Sequence, residues 1–142
     1  HYPLRRQRQM CIRDSINMSK TKSEFEYIIN TSPIILFNCL STASGLSEWF
    51  CDDVNLKDNK FTFFWDGSEE TATLKNVKKG ESVKFQWDED EAENYYFEMA
   101  IRIDDITKEV ALIVTDFYDE DEDELKLLWD NNILKLKQAI GG

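Results

Sequence analysis

The sequence predicts a single α+β domain, in which a curved antiparallel sheet of about six strands wraps around a long C-terminal helix. Three observations predict this fold. Most of the chain after residue 50 alternates apolar and polar residues, which is typical of strands. Two short helical stretches follow a first strand. The last stretch of the chain has apolar residues at steps of three and four, which is typical of a helix that buries one face.

The first strand is expected at Lys22–Thr31, where apolar residues alternate with glutamates. Ser32 and Pro33 then predict a helix start, because a serine side chain caps the first N–H groups and proline fits the first turn. Gly45 interrupts this helix, and a second short helix is expected at about Ala43–Phe50. The residues expected to face the core here are Phe25, Tyr27, Ile29, Ile34, Leu36, Phe37, Leu40, Leu46, Trp49 and Phe50.

Between residues 53 and 118, short alternating runs are separated by turn signals at Asp66–Ser68, Lys79–Glu81 and Asp104–Lys108. The connections are too short for crossovers, so they favour an antiparallel meander. The expected strands are Asp53–Leu56, Lys60–Asp66, Glu70–Val77, Ser82–Trp87, Tyr95–Ile103 and Glu109–Tyr118.

The final helix is expected at Asp123–Ile140. Acidic residues precede it and suit the positive end of the helix dipole, whereas Lys135 and Lys137 suit the negative end. Gly141 is the expected stop. Because no other element is large enough to cover its apolar stripe, this helix must pack against the sheet. The stripe consists of Leu125, Leu128, Trp129, Ile133, Leu136 and Ile140.

The chain of 142 residues has a formal net charge of −11. A protein with this negative charge repels nucleic acids and anionic membrane surfaces, so neither is expected as a partner. High solubility or a cationic partner is compatible with it. No apolar run is long enough to cross a bilayer, and no secretory signal pattern is recognisable. The odd number of cysteines, Cys11, Cys39 and Cys51, indicates reduced thiols and a cytoplasmic location.

The first 17 residues differ in composition from the rest of the chain and are interpreted as a non-native or disordered leader. They hold four of the five arginines, and the MCIRDS segment, Met10–Ser15, resembles a translated sequencing adapter. The natural start is then Met18, and residues 18–142 form the single domain. A functional basic arm is the alternative. Without the leader, 13 basic and 27 acidic residues remain, a net charge of −14.

Three segments resemble the START-like superfamily and its helix-grip fold. Phe25–Phe50 is similar to the family's opening, a strand, a Ser-Pro helix start and a Leu-x-x-Trp-Phe ending. Asp66-Gly67 and Lys79–Asp90 are similar to the branch formed by the C-terminal domain of the heat-shock chaperone ATPase activator. The resemblance covers about Lys22–Ile140 and is closest to small stand-alone START-like proteins of Bacteroidetes-type bacteria.

This resemblance implies three functions. Several branches, including the Bet v 1 allergens, hold a lipid, steroid or aromatic molecule between sheet and helix, so binding of a small hydrophobic ligand is the leading expectation. The activator branch instead contacts a chaperone, which implies a protein-interaction module. A polyketide-cyclase type of enzyme is the third. Fold alone does not choose among them.

An apolar ligand would need an inward aromatic lining with a few polar groups. The alternative is that the same side chains form a close-packed core without a cavity. Asn132 interrupts the helix stripe and is either a polar anchor in the cavity or an exposed or locally bonded residue. The candidate lining residues are Phe37, Trp49, Phe63, Trp65, Phe85, Trp87, Tyr95, Phe97, Met99, Trp129, Asn132 and Ile133.

Catalytic, metal and cofactor sites are not expected. The only histidine is His1, so a Ser-His or Cys-His pair is missing from the domain. Cys39 and Cys51 have no metal-site spacing, and Cys39 lies on an apolar helix. The acidic runs Asp88–Glu93 and Asp119–Glu124 lack the central glycine of a calcium-binding EF-hand loop. They are interpreted as solvated loops, with a basic partner as the alternative.

Overall fold

The element order agrees with the prediction: a strand, two short helices, a run of strands and a long helix. The structure, a computed structural model, describes residues 20–88, 95–118 and 121–141. The predicted leader, most of the first acidic run and the start of the second lie outside these residues. The elements are β1 (Thr21–Ile28), α1 (Pro33–Ser41), α2 (Ala43–Leu46), β2 (Asp53–Lys57), β3 (Lys60–Trp65), β4 (Ser68–Lys78), β5 (Ser82–Trp87), β6 (Phe97–Ile103), β7 (Val110–Tyr118) and α3 (Glu122–Ile140).

The seven strands form one curved antiparallel sheet in the order β1-β7-β6-β5-β4-β3-β2. Strands β2 to β7 pair with their neighbours in the chain, as short connections require. Strand β1 pairs with β7, from Thr21 opposite Tyr118 to Ile28 opposite Ala111. About six strands were predicted for the sheet and seven are present; the short edge strand β2 corresponds to the predicted strand Asp53–Leu56. The predicted helix-grip fold is confirmed.

The core lies between one face of the sheet and α3. The period-two pattern places Val83, Phe85 and Trp87 of β5 on this face, and each is at most 1% exposed. The stripe of α3 faces the same core, with Leu125 and Trp129 among its buried members, and the ring centroid of Trp129 lies 6.0 Å from that of Phe97 on β6. Full burial of one large apolar side chain contributes about 1.5–3 kcal/mol, so a stripe of this length fixes the helix on the sheet.

Side-chain caps and a left-handed residue define the helix ends. The Ser32 hydroxyl accepts a hydrogen bond of 3.2 Å from Ile35 N, as its position before Pro33 predicts. At the start of α3, Asp121 accepts from Asp123 N at 2.9 Å. Helix α3 ends at Gly141, whose φ of 75° is a conformation that glycine adopts without strain.

Some boundaries and one core residue were predicted wrongly. Helix α2 ends at Leu46 and not at Phe50, because the chain continues in hydrogen-bonded turns such as Phe50 N to Leu46 O at 2.9 Å. Strand β1 ends at Ile28, and β6 begins at Phe97. Ile34 is 76% exposed, so its predicted inward position is wrong. Helix α1 is apolar on most sides, and the core covers only Leu36, Cys39 and Leu40 of it.

Candidate functional site

Phe50, at the turn after α2, is the centre of the space between sheet and helix. Its ring lies 5.0 Å from that of Phe63, 5.7 Å from Phe97 and 6.0 Å from Trp129, measured between centroids. These separations are those of rings in contact. Phe50 itself is 2% exposed. The sequence predicted Phe50 as a core residue and not as one of the cavity candidates.

The predicted lining residues surround Phe50 and contact one another. Phe85 stacks on Phe97 at 5.2 Å, and Trp87 packs against Phe97 at the same separation. Rings that touch each other in this way occupy the space that a guest molecule would need. The candidates brought together in this cluster, all at most 4% exposed, are Trp49, Phe63, Trp65, Phe85, Trp87, Phe97, Met99, Trp129 and Ile133.

Three of the buried indoles have hydrogen-bond partners within the protein. Trp49 Nε1 donates to the carbonyl of Cys39 at 2.9 Å, and Trp65 Nε1 donates to that of Phe50 at 2.9 Å. Trp129 Nε1 donates to Asp116 Oδ2 at 3.0 Å. A ligand is therefore not required to satisfy these three polar groups.

Two candidates lie apart from the cluster. Phe37 on α1 is only half-buried at the edge of the core. Tyr95 packs on Phe117, with 5.1 Å between ring centroids, and its hydroxyl accepts a hydrogen bond of 2.9 Å from Lys20 N. Phe117 alternates with the inward residues of β7, so this contact places Tyr95 away from the sheet face that α3 covers. The structure therefore does not bring Tyr95 together with the other candidates.

Two polar side chains are buried between sheet and helix. Asn132 on α3 is 6% exposed, so the alternative of an exposed asparagine is wrong. Asp116 on β7 is 1% exposed, and its Oδ1 accepts from Phe117 N at 2.7 Å. Asp116 is not among the site residues predicted from the sequence. The available signal was its place in β7, because it follows Leu112 and Val114 at steps of two on the inward face.

A groove of about 530 Å³ opens between the two short helices and the C-terminal end of α3. Gly45 lies at its closely packed side, where an added Cβ would be 2.3 Å from the carbonyl oxygen of Asn38. Ile35, 50% exposed, contributes apolar surface, and Glu48 contributes negative charge. The residues that line the groove are Ile35, Asn38, Cys39, Thr42, Ser44, Gly45, Glu48, Ala139 and Ile140.

The two thiols within the described ranges are buried and poorly ionised. Burial, with the negative charge of Glu48, raises the pKa of Cys39. Burial raises the pKa of Cys51 to about 12, although hydrogen bonding with the backbone of Phe64 and Asp53 opposes this. Among residues 20–88, 95–118 and 121–141, no group of three potential metal-ligating side chains is found. None of the helices described there is long and apolar enough to span a membrane.

Comparison with known proteins gives a family and several structural relatives. Residues 17–142 match the family model of the START-like superfamily domain. No curated protein is significantly similar to the chain. A Bacteroides fragilis protein with a solution NMR structure is 35% identical, with a TM-score of 0.63, over 85% of this chain and 91% of that one.

Two more distant solved structures share the fold. The Aha1 dimer from Colwellia psychrerythraea has a TM-score of 0.67 at 16% identity, over 84% of this chain and 96% of that one. A Bacillus halodurans protein has a TM-score of 0.67 at 15% identity, over 87% of this chain and 99% of that one. At such identities the likeness concerns the fold alone.

Proposed function

This chain belongs to the START-like superfamily, and on that basis we propose that it is a non-catalytic module that binds another protein. The binding surface is formed by Ile34, Ile35 and the adjoining groove, and is called here the α1 surface. The proposed partner is a heat-shock chaperone of the kind contacted by the activator branch that the sequence resembles. Aha1 itself shares only the fold with this chain, so the choice of partner rests on analogy.

The observation that carries the proposal is the exposure of two adjacent isoleucines beside an open groove. Ile34 is 76% exposed and Ile35 is 50% exposed, and Ile35 continues into the groove with Ile140. Protein interfaces are typically built from a few apolar anchors that enter pockets, surrounded by polar residues. Here Asn38, Ser44 and Glu48 supply the polar surroundings.

Charge favours a basic contact region on the partner. The chain has 28 acidic and 17 basic residues, and Glu48 lies in the groove. Complementary charge accelerates association and selects the orientation of the partner more than it adds affinity. Binding is therefore expected to weaken with added salt, while the apolar contacts of Ile34 and Ile35 determine how long the complex lasts.

A non-catalytic role is supported by the chemistry of the nucleophiles. Cys39 and Cys51 have raised pKa values, so each is mainly a neutral thiol near pH 7. The only histidine is His1, outside the matched domain. An acyl-transfer or cyclase reaction would need an activated nucleophile or a base near its substrate.

The test is titration of the purified chain with a purified bacterial chaperone of this class, followed by calorimetry. Ile34→Asp is expected to weaken binding at least about tenfold, since interface anchors typically contribute more than 1.4 kcal/mol. The matched control is Leu127→Asp on α3, another isoleucine-sized exposed side chain at 61% exposure, away from the α1 surface. Equal effects of both variants, or no binding by the parent protein, would refute the proposal.

Binding of a small apolar ligand between sheet and helix is the second candidate, because Asn132 is a polar side chain buried on the inward face of α3. Apolar pockets commonly orient their ligand with a few such groups. Native mass spectrometry of protein purified from its host would show a retained adduct, and Asn132→Leu would reduce its occupancy. A mass equal to that of the bare chain would count against this candidate.

A further inference from the structure

The outer face of the sheet, opposite to the face that α3 covers, carries a second pocket. It has a volume of about 310 Å³ and is lined by Lys75, Lys84, Gln86 and Tyr96. The bend that forms it has a local cause: the pairing of β4 with β5 shifts register between Leu74 and Asn76. Lys75 is the extra residue at this bulge, and bulges commonly redirect a side chain.

The two lysines have no carboxylate partner within the described ranges: neither Lys75 nor Lys84 forms a salt bridge there. Lys84 Nζ lies instead 4.1 Å from the centroid of the Tyr96 ring. Phe117 holds that ring by an edge contact, with 5.1 Å between centroids. Two cations that pair with no carboxylate in the described part of the chain are unexpected where acidic residues are in excess.

Neither of the two nearby carboxylates among the described residues, Asp88 and Glu98, pairs with a lysine of the pocket. Asp88 already binds Lys60 Nζ at 3.1 Å and accepts from Thr73 Oγ1 at 3.2 Å. Glu98 stands opposite Lys84 in the register of β5 and β6, yet the Lys84 ammonium contacts the Tyr96 ring and not this carboxylate. Among the residues that the structure describes, no carboxylate is therefore bonded to the two ammonium groups of the pocket.

Gln86 supplies a neutral hydrogen-bond donor at the base of the pocket. It is 7% exposed overall, and its side chain lines the pocket. Buried side-chain amides are usually hydrogen-bonded, and a ligand in the pocket would supply such a partner. The pocket thus combines two ammonium groups, one amide N–H₂ and the Tyr96 hydroxyl, all of which can donate.

We propose that this pocket binds a phosphoryl group. A phosphate monoester carries about −1.5 to −2 charges at pH 7 and three acceptor oxygens, which matches two cations and additional neutral donors. A carboxylate has one charge and two oxygens and would leave part of this donor set unused. The site lies on the opposite face of the sheet from the packed core and is independent of the protein-binding role proposed above.

The experiment is an NMR titration of the full chain with inorganic phosphate, following the side-chain amide resonances of Gln86. Saturable shifts are expected, and Lys84→Gln should weaken binding about tenfold, since it removes one charge-assisted contact. Lys57→Gln, on the far edge strand β2, is the matched control and should bind like the parent protein. Glu98→Gln should strengthen binding, because it removes the nearest carboxylate in register with Lys84.

Sodium chloride at equal ionic strength and malonate at equal concentration complete the test. Equal shifts with chloride, equal weakening by Lys57→Gln, or no shift with phosphate would each overturn the proposal. Tighter binding of malonate would overturn the phosphoryl assignment. Thermal unfolding of each variant checks that a lost phosphate response reflects lost contacts to phosphate and not loss of the fold. If Lys84→Gln does not fold, the expected stronger binding by Glu98→Gln still tests the proposal.

Discussion

Trp129 on α3 donates its indole proton to the Asp116 carboxylate on β7 at 3.0 Å, and both residues are at most 1% exposed. A carboxylate is rarely buried unless it is paired. This hydrogen bond therefore ties the long helix to the sheet by a directional contact within an otherwise apolar interface.

Trp129→Phe is expected to lower the free energy of unfolding by about 2–4 kcal/mol, because it shrinks a core side chain and removes a donor from a buried carboxylate. Urea unfolding measures this change. In a double-mutant cycle with Asp116→Asn, the combined loss should be smaller than the sum of the two single losses, since no unmatched charge remains. Strictly additive losses would contradict the coupling.

Gly45→Ala is expected to destabilise the protein by about 1–3 kcal/mol, as overpacking does. An added Cβ would lie 2.3 Å from Asn38 O and 2.8 Å from Cys39 Cα, both backbone atoms that cannot turn away. The usual gain of about 1 kcal/mol from Gly to Ala in a helix is thus reversed in sign. The exposed neighbour Ser44→Ala is the control and should change stability little; equal or higher stability of Gly45→Ala would refute the close approach.

Tyr27→Phe is expected to raise the pKa of Asp130. Burial raises this pKa, but hydrogen bonds from Tyr27 at 2.7 Å and Lys126 at 2.9 Å outweigh burial and hold it below its ordinary value. An NMR titration of the Asp130 carboxyl carbon measures the change. Tyr118→Phe should leave it unaltered, and an unchanged pKa in Tyr27→Phe would show that the hydrogen bond is not maintained in solution.

The lowered pKa of Asp130 makes the free energy of unfolding depend on pH in the acidic range. Because the folded pKa of Asp130 lies below its unfolded value of about 3.9, its stabilising contribution is present above that value and is lost as the pH falls through the folded pKa. Asp130→Asn should therefore lose less stability than the parent protein between pH 5 and the acid limit, as urea unfolding at several pH values would measure. The opposite trend would contradict the assigned direction.

Native thiol reactivity should be low. With a pKa of about 12, Cys51 is thiolate in on the order of one molecule in ten thousand at pH 8. A Cys11→Ser variant isolates Cys39 and Cys51, and its reaction with a disulfide reagent should be limited by unfolding. The same variant in urea should react rapidly at both positions. Rapid reaction under native conditions would contradict the burial of the thiols.

The strand faces and the stripe of α3 were predictable because both depend on local periodicity. Val83, Phe85 and Trp87 alternate in the sequence and are buried together in the structure. The N-cap at Ser32 and the helix end at Gly141 were likewise predictable from the sequence, since each depends on residues within one helical turn.

Which apolar residues are buried, and whether they enclose a cavity, was less predictable. Ile34 lies on an apolar helix, and periodicity does not say which of several apolar sides the sheet covers. Whether the inward rings leave a cavity depends on contacts such as Phe50 with Phe97, between elements far apart in the chain. The burial of Asp116 depends on Trp129, which lies on a different element.

The pairing of β1 with β7 has a consequence for synthesis. Thr21 of β1 pairs with Tyr118 of β7. Strand β1 is therefore synthesised long before its partner strand. During synthesis on the ribosome, the backbone of β1 stays unpaired while the five strands β2 to β6 are made and pair with their neighbours in the chain. The pairing of β1 with β7 is therefore expected to be the slow, long-range event of folding.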